Sequence, residues 1–326
     1  MYLVKSDPAG FTNPLKPPLH TVATANGWTR VARGVYLDLD DPDAEQPKYQ
    51  RLHAARVLAA ADRAPAAVVS HHSAAVLHGL PLLAGRIPKL VHVTRDNSSR
   101  HNESTVPHRG KLRDDEVVTR SGVRCTSLER TVQDLAGHLS PHELLALADA
   151  AVARGADLAS LAARHRNRRA LAWAAANANG RAESFGESWS RYLLLSAGIT
   201  LPMLQAEVSD DNGLSIARTD FVTEQGLIGE FDGKIKYTEH VKDKESAADV
   251  IVREKRREAL LAEQGFVIVR WDWDLLANRP EKFIERWQQG SLRAASLPAP
   301  RGTVSYPKRD LVEAPEWDKV YRWKVV

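Results

Sequence analysis

Asp220, Glu230, Asp232 and Lys234 lie in a stretch that reads as a β-hairpin, with Gly226 supplying the turn. Alternate residues of a strand share a face, so Glu230, Asp232 and Lys234 point to one side while Phe231 packs on the other. Asp220 sits between Thr219 and Phe221 on the preceding strand, and the tight turn can bring it beside Glu230. Three carboxylates on one sheet face repel. At about 4 Å and an effective dielectric near ~20, each pair costs roughly 4 kcal/mol. A strand centre tolerates this with a bound cation, or by raising a pKa until one group is neutral. Lys234 offsets only part of the charge. Oxygen ligands of this kind suit Mg²⁺ or Mn²⁺. A second reading stays open: an edge hairpin with a wet polar face, because Asp232-Gly233 is also a common turn pair.

On a helical wheel Lys255 falls among Ala248, Ile251, Val252, Ala259 and Ala262, the small apolar face expected to meet the sheet. Its ammonium then either snorkels to water or enters a carboxylate pocket. His71, His72 and His78 share one short helix, but no Glu follows in the zinc-protease pattern, and the reading favours histidines lining a small core. His92 alternates with Val91 and Val93 as a strand residue facing a polar surface. Trp271, Trp273, Trp287, Trp317 and Trp323 could stack on bases, although core packing is the commoner use of such rings. No Ser-His-Asp or Cys-His arrangement competes with the carboxylates.

The elements that must position these residues follow from periodicity and punctuation. Residues 1–20 are proline-interrupted and predict no stable helix. A strand over 28–39 is broken at Gly34, and a helix follows at 47–62. Ser70 caps a helix over 71–78, and short strands are expected at 89–94, 115–119 and 122–125. Capping boxes at Thr126/Glu129, Ser140/Glu143 and Ser184/Glu187 start three helices, the second with Pro141 in its first turn. The alanine-rich stretch 157–178 predicts two short helices and ends at Asn177, Asn179 and Gly180. Beyond it the order is helix, strand, strand, strand, helix, strand, with strands at 203–209, 215–222 and 227–236. A helix over 245–264, a strand from Phe266 to Trp271 and a helix over 280–288 lead into a Pro-rich tail. This implies a mixed α+β, helix-rich domain over 1–180, an α/β domain over 182–290 and a tail over 291–326.

Composition sets outer limits. A chain of 326 residues, 43% hydrophobic and 26% charged, can bury an ordinary core. The single cysteine, Cys125, excludes a disulfide framework and a cysteine-based zinc site. No signal peptide and no long apolar run is seen, so a cytoplasmic protein with no membrane partner is expected. The net charge of +4 permits nucleic acid as a partner without demanding it. The basic runs around Arg253–Arg257 and Arg164–Arg169 read as solvated helix faces. No feature sets the oligomeric state.

Thr219-Asp220-Phe221, Gly229-Glu230-Phe231-Asp232-Gly233-Lys234, Glu254-Lys255-Arg256-Arg257-Glu258 and Gly265-Phe266-Val267-Ile268-Val269-Arg270-Trp271, in that order, resemble the DUF559 and very-short-patch-repair-like branch of PD-(D/E)XK endonucleases. The likeness covers about a third of the chain. Upstream, Ser70-His71-His72-Ser73-Ala74-Ala75-Val76-Leu77-His78-Gly79 and Thr126-Ser127-Leu128-Glu129-Arg130-Thr131 resemble actinobacterial AbiEi-type antitoxins of type IV toxin–antitoxin systems. The first resemblance implies a restriction-endonuclease-like fold. Asp220 matches the "PD" aspartate, with Thr219 in place of proline, and Glu230 matches the acid of the (D/E)XK element. The Phe231 carbonyl is expected to help bind the metal, and Asp232 stands where the lysine belongs. A second register makes Asp232 the acid and Lys234 the lysine. Glu187 matches an acid on the first core helix, while its spacing from Ser184 also suits a cap. The implied activity is Mg²⁺- or Mn²⁺-assisted phosphodiester hydrolysis of DNA, in defence or repair, with Lys234 or Lys255 stabilising the developing charge. The second resemblance implies the alternative, a non-catalytic antitoxin-like transcriptional regulator that binds nucleic acid and has a cognate toxin. Only about 30 residues precede Arg33-Gly34-Val35-Tyr36, which leaves no room for a complete winged helix. A protein-interaction scaffold is the third class.

Overall fold

The computed structural model describes residues 2–5, 17–38, 46–96, 104–164, 169–233 and 247–325, with side chains from 252 onward in the last stretch. The chain forms two compact α/β units. One comprises Met1–Ser140, Arg154–Asn177 and Val312–Val326, the other Pro141–Ala153 and Ala178–Leu311. Among the described residues no helix is long and apolar enough to cross a membrane.

The first unit holds two mixed sheets. In one, β1 (Tyr2–Lys5), β2 (Thr29–Ala32), β3 (Val35–Leu37) and β14 (Arg322–Val325) run in the order β14-β1-β3-β2. Gly34 takes a φ of 66° in the Arg33-Gly34 turn, a left-handed geometry that suits glycine and closes the β2–β3 hairpin. Helix α1 (Leu19–Ala25) begins directly after Pro17-Pro18. In the other sheet, β4 (Val68–Val69), β5 (Val91–Arg95), β6 (Thr105–Arg109), β7 (Val117–Arg120) and β8 (Val123–Thr126) run in the order β6-β5-β4-β8-β7. Helix α2 (Lys48–Arg63) buries Ala54, Ala55, Val57 and Leu58 along one stripe. The remaining helices of this unit are α3 (His71–Leu77), α4 (Leu128–Leu135), α6 (Leu158–Arg164), α7 (Arg169–Asn177) and α12 (Trp317–Val320).

The second unit is built on one five-stranded sheet of order β12-β11-β10-β9-β13. Strands β9 (Met203–Ser209), β10 (Ser215–Val222) and β11 (Leu227–Asp232) form an antiparallel meander. Helix α9 (Ala247–Glu263) then leads to β12 (Val267–Asp272), parallel to β11. With α8 (Phe185–Ser196) in front, this is the helix, three strands, helix, strand order expected from the sequence. Helices α5 (Pro141–Ala153), α10 (Trp273–Ala277) and α11 (Pro280–Ala295) and strand β13 (Thr303–Ser305) complete it. One core joins Leu194, Leu204, Phe221, Trp271, Phe283 and Trp287, and a second joins Val208, Val222, Ile228, Leu261 and Phe266. The sheet is therefore covered by α8, α10 and α11 in one core and by α9 in the other.

Several local expectations change. The cap of α4 is Ser127, which accepts from the Arg130 backbone, while Thr126 instead pairs its hydroxyl with Thr131. Helix α11 runs beyond 288 because Trp287, Gly290 and Ala294 continue its buried stripe. The tail is not separate: β13 pairs with β9, and β14 pairs with β1. Trp271, Trp287 and Trp317 are buried, as core packing requires.

Candidate functional site

The site of the second unit starts from a glycine. A Cβ on Gly186 would lie 2.1 Å from the Phe231 ring, so only glycine lets the first turn of α8 settle on β11. Ser184 caps the helix by accepting from the Glu187 backbone N–H at 3.1 Å. The Glu187 carboxylate takes donors other than the Ser184 backbone N–H that a capping box would use. It accepts from the Glu183 backbone N–H at 2.9 Å and from Gln205 Nε2 at 3.0 Å. Glu187 thus belongs to the helix start and to the site at once.

Gln205 is the residue that joins the acids. It lies opposite Asp220, between the register pairs Ala206–Thr219 and Leu204–Phe221. It is buried, and its φ of 49° is left-handed, a conformation that costs a non-glycine residue about 1–3 kcal/mol and persists where surroundings impose it. Its Nε2 also donates to Asp220 Oδ1 at 3.2 Å, and Asp220 Oδ2 accepts from the Phe231 backbone N–H at 3.0 Å. Burial pushes the Asp220 carboxyl above its usual range. Burial first, and then the charge of Asp220, lift Glu187 to about 7. Among the described residues neither acid bonds to a basic side chain.

Glu230 has a different environment. Register on β12 sets it beside Arg270. Its Oε1 accepts from Arg257 at 2.6 Å and its Oε2 meets Arg270 at 2.8 Å. Glu254 bridges both arginines, and Glu258 reaches Arg270 at 2.9 Å. Burial raises the Glu230 carboxyl, and the two arginines pull it back only in part. Asp232 ends β11, half-buried, in register with Asp272, which caps α10. Lys234 lies outside the described residues. Of the two readings of Lys255, its exposure fits the ammonium in water, and Val252, Ala259 and Ala262 are exposed as well, so the small-residue face does not meet the sheet at these positions. The face of α9 turned to the sheet carries Leu261 and Arg257 instead, because the Glu230–Arg257 pair and one leucine outweigh a stripe of alanines.

The all-oxygen donors of Asp220 and Glu187 fit a hard divalent cation, since two buried acids with raised pKa values lack a bonded cation among the described residues. Glu230 does not fit as held, because both its oxygens are committed to arginines. Consistent with that split, no three His, Cys, Asp or Glu side chains among the described residues form a ready ligand set.

In the first unit, Arg30, Arg33, Arg56, Arg63 and Lys89 line a cleft of about 530 Å³, with no acidic side chain among the described residues that line it. Among the described residues none of the five pairs with a carboxylate. Such a cleft attracts anions. His78 is a core residue on the Thr126 carbonyl, at 2.7 Å. Cys125 is buried, and burial lifts its thiol to about 12, which leaves it unreactive.

Sequence reasoning did not find Gln205, Gly186, Arg257 or Arg270. A glutamine within the apolar run Met203–Val208 and an arginine between Val269 and Trp271 were the available signals. Comparison with protein-family models, with curated proteins and with solved structures finds no match to this chain.

Proposed function

We propose that the second unit is a restriction-endonuclease-like hydrolase of DNA phosphodiester bonds, with Asp220 and Glu187 as its acidic pair. One observation carries the reading: two buried carboxylates, from the first helix and a central strand, share Gln205 and bond to no cation among the described residues. The element order around them and the strained backbone of Gln205 support it. Mg²⁺ or Mn²⁺ on this pair would polarise the scissile phosphate and lower the pKa of an attacking water. The chain's own contribution is orientation and proton handling. Gln205 fixes the spacing of the two acids, and the Phe231 N–H fixes the second oxygen of Asp220. In the metal-free protein Glu187 is lifted to about 7, so a bound cation would displace its proton near neutral pH. Cleavage of supercoiled DNA with Mg²⁺ or Mn²⁺, compared between the natural chain and Asp220→Asn, tests the reading.

A second reading, a nucleic-acid-binding regulator without hydrolysis, has its own support. Glu230 is neutralised by Arg257 and Arg270, and the cationic cleft of the first unit offers five charges to a phosphate backbone. Binding that is strongly salt-dependent, with no cleavage in either metal, is the outcome this reading expects.

A further inference from the structure

The five cations of the first unit's cleft are placed by three elements. On α2, Arg56, Ala60 and Arg63 recur at helical spacing and share one face. Helix α2 packs against both β2 and β5, and this face lines the cleft between them. Neighbours on a regular strand point in opposite directions. A register shift between Arg30 and Ala32, followed by the hairpin turn, lets Arg30, Val31, Ala32 and Arg33 line the same cleft. Lys89, Leu90 and Val91 enter from the approach to β5. Two guanidiniums are tied to backbone rather than to acids: Arg63 donates to the Arg33 carbonyl, and Arg30 Nε donates to the Ala32 carbonyl at 3.4 Å. Arg56 is half-buried, and burial pulls its guanidinium below the ordinary value. Among the described residues neither Arg56 nor Lys89 forms an ion pair, and the nearby acid of α2, Asp62, is taken by Lys5 at 2.9 Å. A partly desolvated cation without a counter-charge is costly until an anion joins it.

We infer that this cleft binds a nucleoside polyphosphate. Its volume of about 530 Å³ falls within the range of small-molecule sites, about 300–1,000 Å³. Guanidiniums grip phosphate oxygens in pairs, and Arg30, Arg33, Arg56, Arg63 and Lys89 together supply more positive charge than a single phosphate requires. The wall between them is apolar, from Val31, Ala32, Ala60, Leu90 and Val91, and suits a sugar or base rather than further phosphate. Ser104 is the one neutral polar side chain among the described lining residues. Recognition therefore rests on the number of phosphates and not on the identity of the base. The cleft has room for one nucleotide and its phosphates, so the ligand is a small molecule rather than a continuous strand. The inference goes beyond both functional readings, and a nucleotide held here would exclude a strand from the same cations.

The test is calorimetric titration of the full-length protein with ATP, GTP, AMP and inorganic tripolyphosphate in EDTA, which keeps metal binding by the second unit out of the result. The expected result is saturable one-to-one binding of ATP and GTP with closely similar affinities. AMP binds about tenfold or more weaker, and added salt weakens all four. Tripolyphosphate competes with ATP but binds less tightly, because it leaves the apolar wall unused. Lys89→Ala and Arg56→Ala each weaken ATP by about tenfold or more. Asp220→Asn leaves ATP binding unchanged, so failure of the hydrolase and failure of this inference are told apart. Circular dichroism confirms folding, and Arg56→Gln replaces Arg56→Ala if that variant does not fold. Three results each overturn the inference: no saturable ATP binding, equal affinity in the folded cleft variants, or binding of a single-stranded oligothymidylate that Lys89→Ala abolishes and excess ATP does not displace.

Discussion

Replacing Glu187 with glutamine should stabilise the metal-free protein at high pH and leave it unchanged at low pH. The carboxyl titrates near 7 when folded against an ordinary value of 4.5. At 1.36 kcal/mol per pH unit that difference is worth roughly 3 kcal/mol. The sign follows from which state holds the proton. Between 4.5 and about 7 the unfolded chain has lost a proton that the folded chain keeps, so stability falls as pH rises through this window. Below it Glu187 costs nothing, and above it the full cost is present. Glutamine keeps an amide oxygen for the Gln205 and Glu183 donors but removes the charge. Urea unfolding in EDTA at pH 5 and at pH 8 measures this directly. The natural chain should lose up to roughly 3 kcal/mol relative to Glu187→Gln across the interval. Parallel stability profiles for the two proteins would refute the buried acidic pair.

Other expectations follow from the same packing. Asp149→Ala leaves Arg191 buried without its ion-pair partner between α5 and α8, and should cost about 3–5 kcal/mol by urea titration. Gly186→Ala drives a methyl into the Phe231 ring and should cost about 1–3 kcal/mol, with a matching fall in melting temperature. If the cationic cleft carries nucleic acid, log affinity plotted against log salt should lose about one unit of slope for each of Arg33→Ala and Lys89→Ala. A slope that neither change moves would assign binding elsewhere.

The order of elements in the second unit was legible because its signals are local: the Ser184 cap, the glycine turn at 226 and the stop at Gly265. Strand alternation and a tight turn set Asp220 and Glu230 on paired strands, but the three-carboxylate group expected there does not form among the described residues: Glu230 goes to two arginines and Asp220 to Gln205. Their partners were not legible. Whether Glu230 meets a metal or an arginine depends on the rotation of α9, and the wheel of small residues around Lys255 pointed to the wrong face. Gln205 enters through a backbone geometry that no spacing rule signals. The histidines of the first unit are spread over α3, β5, β6 and α4, and only tertiary packing unites them. The return of the tail to two sheets was hidden by its prolines.

The most direct measurement is nicking of supercoiled DNA and cleavage of single-stranded DNA in Mg²⁺ or Mn²⁺, comparing the natural chain with Asp220→Asn and Glu187→Gln. The account predicts metal-dependent cleavage by the natural chain that is lost in Asp220→Asn and strongly reduced in Glu187→Gln, with both variants folded. A folded natural chain that binds DNA in a salt-dependent way and cleaves it in neither metal would contradict the hydrolase.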